Sequence, residues 1–186
     1  MLKTIKKSID NSEKTISSLE KQIDQANEQY KIEIDLLQSI DEVGKDSAIT
    51  IISEIGVNMN QFSNEHHLSS WSGMSTGNNE SAGKKKYRTI KGNKHLKTTL
   101  VECGWGATRK KEGYLKRKYK SLIAHRGKKK ALVAVGHKII IAAYHIIKNK
   151  EQYKEPVLHQ NLNRIQKQIK SYLSKLGELG YQMQTA

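Results

Sequence analysis

A chain of 186 residues with 36% hydrophobic residues can fill one modest core, and a single cysteine, Cys103, excludes a disulfide framework and suits a reducing compartment. The formal net charge of +15 is unevenly placed: Lys84 to Lys130 carry 18 Lys and Arg against only Glu102 and Glu112, while the remainder sums to −1. A one-sign field of that density repels itself and suits a polyanion, so nucleic acid is the expected partner, and no membrane partner is expected.

Residues 3 to 40 read as one long amphipathic helix, with a seam of Ile9, Ile16, Ile23, Tyr30 and Leu37 and, offset by three, Leu19, Ala26 and Ile40. Ser12 and Glu33 fall on that seam and weaken it. Such a helix would extend on the order of 55 Å and needs a partner. Met1 to Asn11 lacks an apolar run of signal-peptide length. Ile40 to Gly56 reads as helix, tight turn at Gly44 and second helix capped by Asp46 or Ser47, a helix-hairpin-helix-like unit or an ordinary helical corner. Ser63 or Asn64 caps a short helix ending near Trp71, and Gly73 to Gly83, rich in Gly, Ser and Asn, reads as a loop.

Ser81 stands in that loop beside Ala82 and Gly83, which leave the backbone open to close approach, and ahead of Lys84, Lys85, Lys86 and Arg88. These residues suit chemistry on a phosphodiester. A serine hydroxyl is a poor nucleophile without activation, so composition alone favours a polar turn before a solvated basic ribbon at Lys84 to Ile90. Asn93 caps the next helix, through Lys110, and its start exposes amides that favour anions beside Lys91, Lys94 and Lys97. His95, in the first turn, could orient a phosphate or move a proton. Gly104 and Gly106 are expected to pack closely on the apolar Ala131 to Ile147 helix, whose His137, Lys138 and His145 leave it short of a membrane span. Tyr114 and Tyr119, among Lys116, Arg117, Lys118 and Lys120, suit base stacking or a helix edge equally well. The histidines, His66 and His67 included, lack metal-pair spacing, and Cys103 reads as a buried thiol. After Pro156, Leu158, Leu162, Ile165, Ile169, Tyr172 and Leu176 form a second seam, which an antiparallel fold-back or pairing between protomers would bury; the tail from Gly177 is expected to fray.

The ordered set Ile40-Asp-Glu-Val-Gly44, Ala48 to Gly56 (AITIISEIG), Phe62, Leu68 to Gly73, Ser81-Ala-Gly83-Lys84, Lys91-Gly92-Asn93 and Leu96-Lys97 resembles the C-terminal domain of insertion sequence 110 family transposases, the 116/110/902 group. The likeness continues through Tyr114 to Arg126 and Ala131 to Ile147, and so covers about residues 36 to 150. The family usually has Pro-Gly at Asp41-Glu42 and a proline at Ser75.

The resemblance implies that Ser81 is the strand-joining nucleophile, linked covalently to DNA as a phosphoserine, and that a structured guide RNA, a bridge RNA, selects the DNA. It also implies an N-terminal RuvC-like domain whose four acidic residues hold magnesium. This chain begins with a helix where that domain should end, so no metal or other cofactor is expected in it, and the chain alone should bind nucleic acid without recombining it. The resulting expectation is a mainly α protein. A compact domain at 40–150 holds the helix-hairpin-helix-like unit and a short Gly/Ser loop or β-ribbon, flanked by a coiled-coil helix at 1–39 and a C-terminal helix and tail at 151–186. The protein is read as a cytoplasmic transposase fragment, homo-oligomeric through its terminal helices, with Ser81 catalytic and Lys84, Lys85, Lys86, Arg88, Lys91, Asn93, Lys94 and Lys97 on nucleic acid. A non-catalytic binding module and a structural dimerisation module are the alternatives.

Overall fold

The computed structural model describes residues 1–77, 79–81, 84–86, 89–156 and 162–179, with the backbone alone for 79–81, 84–86 and 162–168. It is mainly α, in two compact units divided after Tyr153. In the first unit, α1 (Leu2–Asn27) leads through a 3₁₀ turn (Glu28–Tyr30) into α2 (Lys31–Gln38), so the expected single helix over 3–40 is broken. Tyr30 leaves helical geometry at φ −110° and ψ 13°. The break divides the seam: Ile16 is 54% exposed in α1, whereas Leu37 in α2 is fully buried. No residue of α1 is buried; its last turn meets α3 (Lys45–Ile55) where Asp24 pairs with Lys45 at 2.6 Å.

The corner between α2 and α3 is a tight turn in which the Val43 amide donates to the Ile40 carbonyl at 2.8 Å. Asp41 and Glu42 occupy its middle, so the turn forms without the family's usual Pro-Gly. Lys110 offsets their charge, 2.6 Å from Asp41 and 3.6 Å from Glu42. Gly44, with ordinary φ of −74°, precedes α3; the expected caps Asp46 and Ser47 fall inside the helix instead. Asn64 caps α4 (Glu65–Trp71) by accepting the His67 amide at 2.9 Å.

α5 (Lys94–Arg109), α6 (Tyr114–Arg126) and α7 (Lys128–Asn149) complete the unit. The core gathers on α7, which buries Ala131, Val135, Ile139, Ile140, Ala143, Tyr144, Ile146 and Ile147 against α2, α4, α5 and α6. α7 is 22 residues long and contains an 18-residue window of mean hydropathy 1.4, the length and apolarity of a membrane span, contrary to the sequence expectation. Half of that window is buried inside the fold, so in this structure it is the central core helix. α5 crosses α7 antiparallel on small residues: a Cβ added at Gly104 would meet the Leu132 carbonyl at 3.1 Å, and one at Gly136 the Leu100 carbonyl at 2.9 Å. Gly106 does not share this role, since its nearest neighbour is the Glu42 carbonyl at 4.0 Å. The end of α7 is tied to α2 by the Lys150–Glu33 ion pair.

The second unit contains α8 (Leu162–Glu178), on which Ile169, Tyr172 and Leu176 are exposed. Leu158 and the tail from Gly180 lie outside the described residues.

Candidate nucleic-acid interface

The segment read as a loop up to Gly83 is instead half of an antiparallel ribbon. β1 (Asn79–Ser81) pairs with β2 (Lys84–Lys86) as Asn79 to Lys86, Glu80 to Lys85 and Ser81 to Lys84. Further back, Thr76 bridges Thr89 and the Ile90 amide donates to the Ser75 carbonyl at 3.2 Å, all in the same register. Pairing supplied by the partner strand makes a ribbon here without alternating apolar residues. That register sets Ser81 opposite Lys84 at the last pair before Ala82 and Gly83. The side chains of Ser81, Lys84, Lys85 and Lys86, and all of Ala82, Gly83 and Arg88, lie outside the described residues.

The base of the ribbon is described in full. Gly73 and Gly92 stand equally far from the Ala82-Gly83 connection and cross there without side chains. A Cβ at Gly92 would lie 2.5 Å from the Trp71 carbonyl oxygen and from Gly73 Cα, and Gly73 adopts a φ of +72° that glycine alone takes readily. Ser69 and Ser75 share a hydroxyl hydrogen bond of 2.7 Å, the buried Ser72 hydroxyl donates to the Ser69 carbonyl at 2.9 Å, and the Asn93 amide donates to the Trp71 carbonyl at 3.1 Å. These contacts lock the ribbon's two legs to the end of α4 and the start of α5.

Asn93 caps α5, its Oδ1 accepting the Leu96 amide at 3.0 Å while its Nδ2 donates to Glu54. Lys97 is half-buried and donates to Thr89 Oγ1 at 2.8 Å, tying the helix to the ribbon's second leg. Lys91, Lys94 and His95 are exposed around the same helix start. The fold thus groups Lys91, Asn93, Lys94 and Lys97 at the base of the ribbon bearing Ser81. A second cationic group lies at the other end of the α5–α7 crossing: Arg109, Lys111, and Lys128, Lys129 and Lys130 in the first turn of α7. Three lysines at a helix N-terminus oppose the helix dipole, an arrangement that a bound polyanion relieves. By helix rise the two groups stand on the order of 20 Å apart.

Other candidates separate from this surface. Burial pushes the Cys103 thiol up and away from the thiolate, and pushes His137 down, so that the half-buried imidazole stays neutral. Among the described residues, no group of three His, Cys, Asp or Glu could hold a metal ion. Of the nearby acids, Glu54 is engaged by Asn93, and Asp41 and Glu42 by Lys110. This donor set does not fit the oxygen-rich cage of a magnesium ion.

Residues 34–120 match the model of the Transposase IS116/IS110/IS902 family. Over these residues, just under half of the chain, the protein is similar to that transposase family. The match runs from α2 through the ribbon and α5 into α6, and so includes Ser81 and the basic residues around the start of α5, but not Lys128, Lys129 and Lys130. No curated protein matches the chain. A transposase segment points to DNA as its partner class. The Gly73–Gly92 crossing escaped the sequence reading, although the two glycines' equal distance from Ala82-Gly83 was a signal of it. Trp105, 56% exposed with the Arg109 guanidinium 5.6 Å from its ring centroid, also escaped it; the spacing of four residues was visible.

Proposed function

We propose that the ribbon carries Ser81 to a DNA phosphodiester and that the transposase segment uses it as the nucleophile of strand exchange. The observation supporting this most strongly is the register, which sets Ser81 opposite Lys84 at the end of a ribbon rooted beside the basic start of α5. In the step itself, Ser81 Oγ bonds to phosphorus, the bridging oxygen leaves with the other strand end, and the serine proton passes to that oxygen. Attack by a second strand's hydroxyl reverses the exchange and frees the serine. Lysines and first-turn amides of α5 offset the charge that builds on the phosphate oxygens. The magnesium that the resemblance implies is assigned to a separate RuvC-like domain, and no step is routed through it here.

Lys84, Lys85, Lys86, Arg88, Lys91, Lys94 and Lys97 are assigned to phosphates, while Asn93 serves by shaping the start of α5. A bridge RNA shares the same basic segment with DNA. The main contacts are not placed at the helix-hairpin-helix-like corner, because Asp41 and Glu42 repel phosphates there. The exposed seam of α1 favours homo-oligomerisation through helix pairing, which sedimentation of the intact chain tests. Such a protein works in the cytoplasm, on nucleoid DNA.

Salt-titrated binding tests the interface. With roughly six phosphates neutralised, log K against log salt should slope near −5, and a slope near zero would overturn the nucleic-acid reading.

A further inference from the structure

The exposed face of α5 carries Lys94, Thr98, Trp105 and Arg109, with Glu102 at its edge. Trp105 is the only large hydrophobic side chain of α5 that is exposed, since Val101, one turn earlier, is partly buried against the core. An isolated indole ringed by polar residues is poorly suited to dock a protein, whose binding hot spots sit inside a water-excluding apolar patch. A flat aromatic ring with a guanidinium over one face, in a segment of one-sign charge, suits a nucleobase. Bases inside a duplex have their faces covered by neighbours, so the occupant must be unpaired.

We propose that Trp105, with Arg109 over its ring, is a stacking platform for an unpaired base of the bound nucleic acid. This rests on the reading of the basic segment as a nucleic-acid interface. Lys94 lies on the same face, about 16 Å away along the helix axis, at the base of the Ser81 ribbon. A strand whose phosphate is held at the start of α5 can therefore run along this face and present a base to Trp105. Glu102, the only acid in α5, lies one turn before Trp105, and keeps phosphates away from the indole while leaving an uncharged base unopposed. Arg109, Lys110 and Lys111 continue the face with positive charge in the sequence, although Lys110 is engaged with Asp41 and Glu42. Single-stranded DNA and an unpaired RNA loop offer the same chemistry, and matched oligonucleotides distinguish them.

The test uses the intact chain and short oligothymidylate, oligouridylate and a blunt DNA duplex as probes. Trp105 and Trp71 are the only tryptophans, so indole fluorescence reports on few positions. Both single strands should quench the wild-type emission, and Trp105→Phe should remove that quenching. Trp105→Ala should weaken single-strand binding about tenfold, with Trp105→Phe recovering part of the loss and duplex affinity unchanged. Tighter binding of oligouridylate would assign the platform to RNA, and of oligothymidylate to displaced DNA; either supports it. Salt-sensitive binding of the single strands with no quenching, or with the affinity of Trp105→Ala unchanged, would overturn the platform and leave the interface standing. Absence of binding to all three probes would overturn both.

Discussion

Where α5 crosses α7, Leu100, Gly104, Val135 and Gly136 approach so closely that a single added carbon meets backbone, and the surroundings are apolar. The ribbon between Gly73 and Gly92 has the opposite make-up: short strands, many lysines, and a base held by serine hydroxyls and two glycines. The helices gain stability from burial, which is insensitive to salt. The ribbon gains little of its own and concentrates charge, so its place in the molecule depends on how firmly its base is held. Stability and proposed chemistry are thus separable by mutation.

The largest effect should fall on the scaffold. Ile140→Ala, at a fully buried position on α7, should cost about 3 kcal/mol and lower the melting temperature of the first unit. A melt unchanged by this substitution would show that α7 is not the core. Gly92→Ala sets a methyl against the Trp71 carbonyl and Gly73, where backbone cannot give way, and should cost about 2 kcal/mol. Faster amide exchange at Ile90 and Asn93, with the α7 core still protected, is the expected pattern; a wild-type exchange profile would mean that the crossing is not tight.

A smaller effect tests the tie between α7 and α2. The hydrogen bond from Lys150 holds the Glu33 carboxyl below its ordinary value. A carboxylate with a depressed folded pKa adds stability above its unfolded value and loses it as pH falls through the folded one. Glu33→Gln should therefore cost about 1 kcal/mol at neutral pH, with the gap to wild type closing on acidification through the carboxylate range. Glu42 works in the other sense, since burial raises its pKa, and protonating it relieves a cost. A gap for Glu33→Gln that stays constant with pH would contradict the assignment. Replacing Lys84, Lys85 and Lys86 together by alanine should change stability by no more than about 0.5 kcal/mol while flattening the salt slope by two to three units.

Much of the scaffold was legible in the sequence because helix caps and apolar periods are local signals. Asn64 and Asn93 cap as their spacing suggested, and the apolar run of α7 marked the core. The break at Glu28 to Tyr30 was not legible, since no glycine or proline marks it and the heptad pattern runs across it. β1 was missed for a related reason: Asn79, Glu80 and Ser81 have no strand periodicity, and only their partners across the turn make them a strand. Ser81 itself was singled out by its small neighbours, its following lysines and its family resemblance. Its opposition to Lys84 is a property of register, which composition does not carry.

The most direct measurement is covalent capture with a Ser81→Ala variant, which should leave both fold and affinity almost untouched because a hydroxyl adds little to a binding energy dominated by phosphates. The chain would be combined with a RuvC-like metal domain from the same element, guide RNA and DNA, and the products separated on denaturing gels. The account predicts DNA attached to the wild-type chain, none attached to Ser81→Ala, and normal behaviour of Ser72→Ala and Ser75→Ala in joining if both fold. Strand joining by Ser81→Ala at the wild-type rate would contradict it.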